Sequence, residues 1–204
     1  WYNGDTSGME SQLDWDLQNG VKSMLIMDYT PRFQALRDGT CIDNESDSDF
    51  SDCKPSNNTV WAEISVDWYK RVDKGRNITR IQLWNEPDTG FWEDNLGGST
   101  AKTNYSIFFN DTYNYWFNYN PNIQIWGYRG LSDSSNGAGL SAFARMMISN
   151  HPDKFKYFSY HPYDNRGYIN ANKVSAEITY FKTQCALYGA ECTYYSLDEW
   201  HPNR

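Results

Sequence analysis

Five short apolar runs punctuate this chain, and longer stretches of helical periodicity lie between them. The first run, Val21 to Asp28, is bounded by Gly20 and by Tyr29-Thr30-Pro31, and it shows little polar alternation. That pattern predicts a strand buried on both faces. Ile78 to Trp84, Ile123 to Tyr128, Phe155 to His161 and Cys192 to Leu197 repeat it. Helices are predicted over 9–19, stopping at Gly20, and over 58–73, with Asn58 or Thr59 as the cap. Further helices are predicted over 100–118, rich in Tyr and Phe, over 139–150, and over 172–188. The last places Val174, Ile178, Phe181, Cys185 and Tyr188 on one face and meets Gly189 as its stop. Strict alternation of strand and helix predicts an α/β fold with a parallel sheet. No linker, repeat or low-complexity tract divides residues 1–204, which read as one domain.

Two strand ends carry the candidate chemistry. Trp84-Asn85-Glu86-Pro87-Asp88 follows the second run, and Asp198-Glu199-Trp200 follows the fifth. Pro87 has no amide proton, so pairing stops and the chain turns just after Glu86. Successive strand residues face opposite ways, so only one of Asp198 and Glu199 points into a shared site. Two carboxylates at the carboxyl ends of strands in one sheet are what acid/base cleavage of a glycosidic bond requires. One must hold a proton for the leaving oxygen, and the other must stay ionised. His161 and Tyr163, two residues apart, share a face of the fourth run.

These segments resemble the retaining glycoside hydrolases built on (β/α)8 barrels, and within that clan most closely the β-xylosidase and α-iduronidase family. The resemblance implies that Glu86 ends barrel strand four as general acid/base. It also implies that Glu199, rather than Asp198, ends strand seven as nucleophile. It implies that Asn85 hydrogen-bonds the sugar 2-hydroxyl. Tyr157-Phe158-Ser159-Tyr160-His161-Pro162-Tyr163 resembles the strand-six segment, whose His161 and Tyr163 would line the sugar site. The five runs would then be strands three to seven of an incomplete (β/α)8 TIM barrel, with Trp1-Tyr2-Asn3-Gly4 as the tail of strand two. Strands one, two and eight are largely missing. A longer polypeptide, an open sheet or a second copy would each account for that.

Spacing tests the assignment independently. Glu86 and Glu199 are 113 residues apart. Three intervening βα units would average about 38 residues, against about 31 in a barrel of about 250 residues. The gap fits with modest loop insertions.

Composition narrows the partners. Aromatic residues make up 17% of the chain, with 9 Trp and 16 Tyr. Core packing accounts for most of them. Trp84, Trp92 and Trp200 flank the carboxylates and are candidates for stacking on apolar sugar faces. Asp28, Tyr29 and Arg32, and likewise Arg129, follow strands at the same rim. The net charge of −8 argues against nucleic acid, whose phosphates need basic surface. Asp43 to Asp52 reads as a solvated acidic loop without the ligand spacing of a calcium site.

Four cysteines allow three pairings, and the local ones, Cys41–Cys53 and Cys185–Cys192, are favoured. No histidine sits beside them at metal-ligand spacing. Asn-X-Ser/Thr sequons occur at Asn44, Asn57, Asn77, Asn104 and Asn110. Together with paired cysteines they predict a secreted, glycosylated protein. No apolar run approaches the 18 residues of a membrane span, and no signal peptide opens the chain, so any such leader is removed or lies outside it. There is no phosphate loop, serine triad order or zinc motif, and no cofactor is expected.

The expected function is that of a secreted retaining glycosidase acting on a carbohydrate through two glutamates. Two rivals come from other classes. One is a glycosylated extracellular fibre or coat subunit on a hydrolase-derived barrel, self-associating through open sheet edges. The other is a carbohydrate-binding protein, which would keep the aromatics and need no paired glutamates.

Overall fold

The computed structural model describes residues 6–35, 53–87, 92, 98–127, 142–161 and 171–197. Five strands form one sheet: β1 (Leu25–Met27), β2 (Arg80–Leu83), β3 (Gln124–Gly127), β4 (Tyr157–Tyr160) and β5 (Tyr194–Leu197). Their spatial order is β1-β2-β3-β4-β5 and every pairing is parallel. Parallel neighbours cannot be joined by a tight hairpin, so each connection crosses back over the sheet. Helices α2 (Asn58–Asp73), α3 (Gly98–Tyr119), α4 (Ala142–Asn150) and α5 (Ala171–Tyr188) make those crossovers, and α1 (Ser7–Gln18) precedes β1. The result is the expected α/β architecture, a parallel wall consistent with part of a TIM-barrel-like fold. Among the described residues, β1 and β5 each have a strand partner on one side only.

Register assigns the two faces of the sheet. Leu25, Ile81 and Ile125 lie side by side and are buried, as are Met27 beside Leu83 and Gly127 beside Phe158. That face packs on the helices. Trp61, Trp84, Phe108, Phe109, Trp116, Phe155 and Phe158 are fully buried in the same cluster. Its rings meet mostly edge-on or tilted: Trp61 to Phe108 at 4.9 Å and 75°, Phe158 to Phe181 at 4.3 Å and 51°. Such arrangements suit the ring quadrupoles. Gly127 is required by this packing. A Cβ there would stand 2.9 Å from Phe155 Cε1 and 3.1 Å from Phe109 Cζ, inside the stacked Phe109–Phe155 pair.

The opposite face is polar and aromatic. Ile26, Gln82, Trp126, Tyr157 and Tyr194 form one row across all five strands. Tyr157 stacks on Tyr194 at 5.0 Å and 16°. With Lys22, Met24, Arg80 and Gln124, part of this row lines an open trough of about 540 Å³.

Helix ends follow local chemistry. Asn57, not Asn58 or Thr59, caps α2: its Oδ1 accepts a hydrogen bond from the Val60 amide at 3.1 Å. Asn58 is engaged elsewhere, donating to Asp111 Oδ2 on α3 at 2.9 Å. At the other end of α2, Lys74 and Gly75 both take left-handed backbone, with φ of 42° and 84°. Helix α5 stops at Gly189, whose φ is 73°, and the Ala190 amide returns to the Cys185 carbonyl at 2.8 Å. The Cys185–Cys192 disulfide closes this turn, as the sequence predicts. Cys53 is disulfide-bonded, and Cys41 lies outside the described residues. The acidic stretch 43–52 and residues 1–4 lie outside them too. Strands are shorter than the apolar runs suggested. Val21 is half exposed because its amide returns to the Asp16 carbonyl behind α1 instead of joining the sheet. Among the described residues, no helix is long and apolar enough to cross a membrane.

His151 ties α4 to α3 through Ser106, with Nε2 and Oγ 2.8 Å apart. Burial, and secondarily the nearby Lys154 charge, hold its pKa below the ordinary 6.5. The unfolded chain therefore takes up a proton before the folded one does. The stability this group contributes is complete above the unfolded pKa and is lost as pH falls through the depressed folded value. Thermal melts from about pH 7 to about pH 5 should show His151→Gln losing less Tm than the parent protein. Equal slopes would contradict the assignment.

Candidate functional site

The carboxyl edge of the sheet carries a cluster of strained backbone. Tyr29, Trp84 and Glu86 all have positive φ, at 63°, 65° and 42°. Left-handed backbone costs a non-glycine residue about 1–2 kcal/mol, and such residues persist only where their surroundings hold them. Here the restraints are visible. The Trp84 amide donates to the Met27 carbonyl at 2.8 Å, and its own carbonyl accepts from Gln82 Nε2 at 3.3 Å. Trp61 Nε1 donates to the Tyr29 carbonyl at 3.0 Å, and Tyr105 donates to the Leu83 carbonyl at 3.2 Å. The kink at Trp84 turns the chain after β2 so that Glu86 is 7% exposed rather than projecting into solvent.

Glu86 meets His161. The Oε1–Nδ1 distance is 2.5 Å, and His161 is fully buried immediately after β4. The two residues are 75 positions apart in sequence and stand on strands separated by β3. His161 continues the alternation of Tyr157 and Ser159, so it shares the inner face of the sheet. Asn85, between Trp84 and Glu86, presents a buried Oδ1 with no hydrogen-bond partner among the described residues. An acceptor left in that condition is costly unless something donates to it. Behind the edge, Tyr160 and Tyr195 have pKa values raised by burial, so both hydroxyls stay protonated.

Two of the expected sugar-stacking rings are core residues. Trp84 is fully buried and Trp92 is 5% exposed. They pack edge-on against each other at 5.0 Å, and both touch Phe108, at 5.4 and 5.1 Å. Neither presents an open ring face, so packing rather than sugar stacking accounts for them. Trp92 also contacts Tyr105 at 5.1 Å. Asp28 lines a small cavity of about 200 Å³ with Met9, Ile26, Met27 and Trp68. Glu199, with Asp198 and Trp200, lies outside the described residues, as do Tyr163 and Arg129. The strand leading to Glu199 is described: β5 ends at Leu197, paired with Tyr160, the residue before His161.

The sequence did not reveal that His161 bonds Glu86 directly. It offered a histidine after one strand and a glutamate after another, but nothing about the kink that turns Glu86 inward. No residue-type rule marks Trp84 for a left-handed conformation.

No family model matches the chain, and no curated protein matches it. Among solved structures, it resembles a monomeric β-xylosidase from Caulobacter crescentus CB15, with a TM-score of 0.61 and 15% sequence identity. The match covers 95% of this chain and 41% of that one. The chain thus has a distant glycoside-hydrolase-like fold and spans well under half the length of that neighbour.

If Trp92 is core, Trp92→Ala should lower unfolding stability by about 3–5 kcal/mol, read as a lower urea midpoint. An unchanged midpoint would return the ring to the list of ligand contacts.

Proposed function

We propose that this chain carries a two-glutamate retaining glycoside hydrolase site, with carbohydrate as substrate and no cofactor. One observation carries the reading. A buried carboxyl group, Glu86, is bonded to His161 at the carboxyl edge of a parallel sheet, beside the orphaned Asn85 acceptor. The carboxyl edge is where barrel enzymes place their chemistry.

In this reading Glu86 is the general acid/base and Glu199 the nucleophile. Glu199 attacks the anomeric carbon, the bond to the leaving oxygen breaks, and Glu86 gives that oxygen its proton. The sugar is then esterified to Glu199. Glu86, now ionised, takes a proton from water as the water attacks the ester-bound carbon. Two carboxyl groups about 5–5.5 Å apart meet this need. His161 holds the Glu86 carboxyl in one orientation through their shared hydrogen bond. Asn85 Oδ1 accepts from a sugar hydroxyl, which resolves its missing partner. Tyr163, and Trp200 by stacking, would contact the same sugar. Secretion, with the disulfide and glycans that accompany it, belongs to this proposal.

A second reading, a self-associating extracellular subunit, draws on the outer edges of β1 and β5, which have no strand partner among the described residues. Unpaired strand edges invite pairing with another chain. A purely carbohydrate-binding role has less support, because it gives no reason for a buried Glu86–His161 pair.

Kinetics on the native polypeptide separate these readings. Glu86→Gln should lower turnover of natural glycosides by about 10²–10⁴-fold. It should lower turnover of aryl glycosides with acidic leaving groups far less, since these depart without protonation. Glu199→Gln should abolish turnover of both while sugar binding persists. Full activity in Glu86→Gln on natural glycosides would sink the hydrolase reading.

A further inference from the structure

The four described sequons stand in two different settings. Asn57 and Asn77 are exposed and lie outside helix interiors. Asn104 and Asn110 are half-buried within α3. The sequon hydroxyls divide in the same way. Thr59 is exposed and Thr79 half-buried, whereas Ser106 is 4% exposed and Thr112 fully buried. Ser106 is already bonded to His151 Nε2 at 2.8 Å and accepts from Asn150 Nδ2 at 3.3 Å.

An N-linked glycan is attached through the asparagine Nδ2 and leaves Oδ1 free to accept. Asn57 meets that condition. Only its Oδ1 is needed for the α2 cap, so a glycan leaves the cap intact. Asn110 does not meet it. Its Nδ2 is directed at Asp111 Oδ1, 3.4 Å away, and the other oxygen of Asp111 accepts from Asn58 on α2. A sugar there would have to fit where α3 docks on α2.

Asn77 has a second feature. Its φ of 58° is a left-handed conformation that asparagine tolerates. It lines a surface cavity of about 390 Å³ whose lining mixes the apolar Leu13, Leu17 and Val21 with the polar Lys22, Ser23 and Arg76. Leu17 is 55% and Val21 49% exposed. A glycan on Asn77 would lie over these two exposed apolar side chains.

We propose that a secreted form of this chain carries N-glycans on Asn57 and Asn77 and none on Asn104 or Asn110, and that the Asn77 glycan covers the Leu17–Val21 patch. Helix α2 runs back against the strands. The Asn57 glycan therefore stands at the Glu86 end of the sheet and the Asn77 glycan at the opposite end. Nothing in this assignment depends on hydrolase activity.

The test is glycopeptide mapping of the protein secreted from a eukaryotic host, with enzymatic glycan release in heavy-oxygen water to mark each occupied asparagine. Label on Asn57 and Asn77, with unlabelled Asn104 and Asn110, is the expected result. Label on Asn104 or Asn110, or none on Asn57 or Asn77, overturns the proposal. Asn57→Asp should remove one glycan with little change in Tm, because aspartate also caps a helix; a marked loss of Tm would mean that the glycan itself holds this end of α2. Asn77→Asp should remove one glycan and raise binding of a fluorescent apolar-surface dye. Unchanged dye binding would overturn the covering role.

Discussion

Parallel pairing between consecutive strands is the constraint from which the rest of this architecture follows. It forbids short turns, so every strand is followed by a helix that carries the chain back over the sheet. All five strands therefore point the same way, and their carboxyl ends fall along one edge. Whatever residue follows a strand is delivered to that edge, however distant in sequence. Glu86 and His161 meet for this reason. Neither strand interior contributes chemistry to the contact. The sheet supplies positions, and the residues just beyond it, Glu86 and His161, make the contact.

Delivery alone would leave Glu86 in a turn facing solvent. The kink at Trp84 changes this, and it couples the core to the site. Left-handed backbone at a bulky aromatic residue is unfavourable. It survives here because the Trp84 ring sits among Trp61, Trp92 and Phe108 while its amide is held by the Met27 carbonyl. Those three rings and that amide bond are the restraints on the kink two positions before the buried carboxyl group. The residue preceding Asn-Glu-Pro is thus indirect in its effect: it touches the core and aims its neighbour two positions on.

The elements were largely legible in the sequence because apolar run length separates short buried strands from longer periodic helices. The span expected for α2 is the one observed, since a polar loop precedes it and two left-handed residues follow it. Strand limits were overestimated, as at Val21, because an apolar residue can be drawn into a turn that hydropathy does not record. The cap at Asn57 was missed by one residue because three cap-competent residues stand in a row, and only tertiary contact with Asp111 decides among them. At the site, Glu86 and His161 could be named from strand ends, but their direct bond could not. Side-chain direction after a strand depends on backbone that no residue type announced. Trp84 and Trp92 were misjudged because adjacency in sequence to a carboxylate says nothing about which way a ring turns.

The inner face of the sheet sets a condition on whatever lies opposite it. Barrel interiors are usually layers of branched aliphatic side chains. This sheet face instead presents Arg80, Gln82, Gln124, Trp126, Tyr157 and Tyr194. Arg80 Nε and Trp126 Nε1 are buried there without a hydrogen-bond partner among the described residues. Each such donor costs about 1–3 kcal/mol if it stays unsatisfied. A dry aliphatic layer packed against them would leave that cost in place. Acceptors must therefore face this wall, either as ordered water in the trough or as polar side chains on the opposing side. Gln82 and Ser159 continue this polar face toward the carboxyl edge, with Gln82 already donating to the Trp84 carbonyl. A polar face leading to a buried carboxyl–imidazole pair is a less costly neighbour for such groups than an aliphatic plug would be.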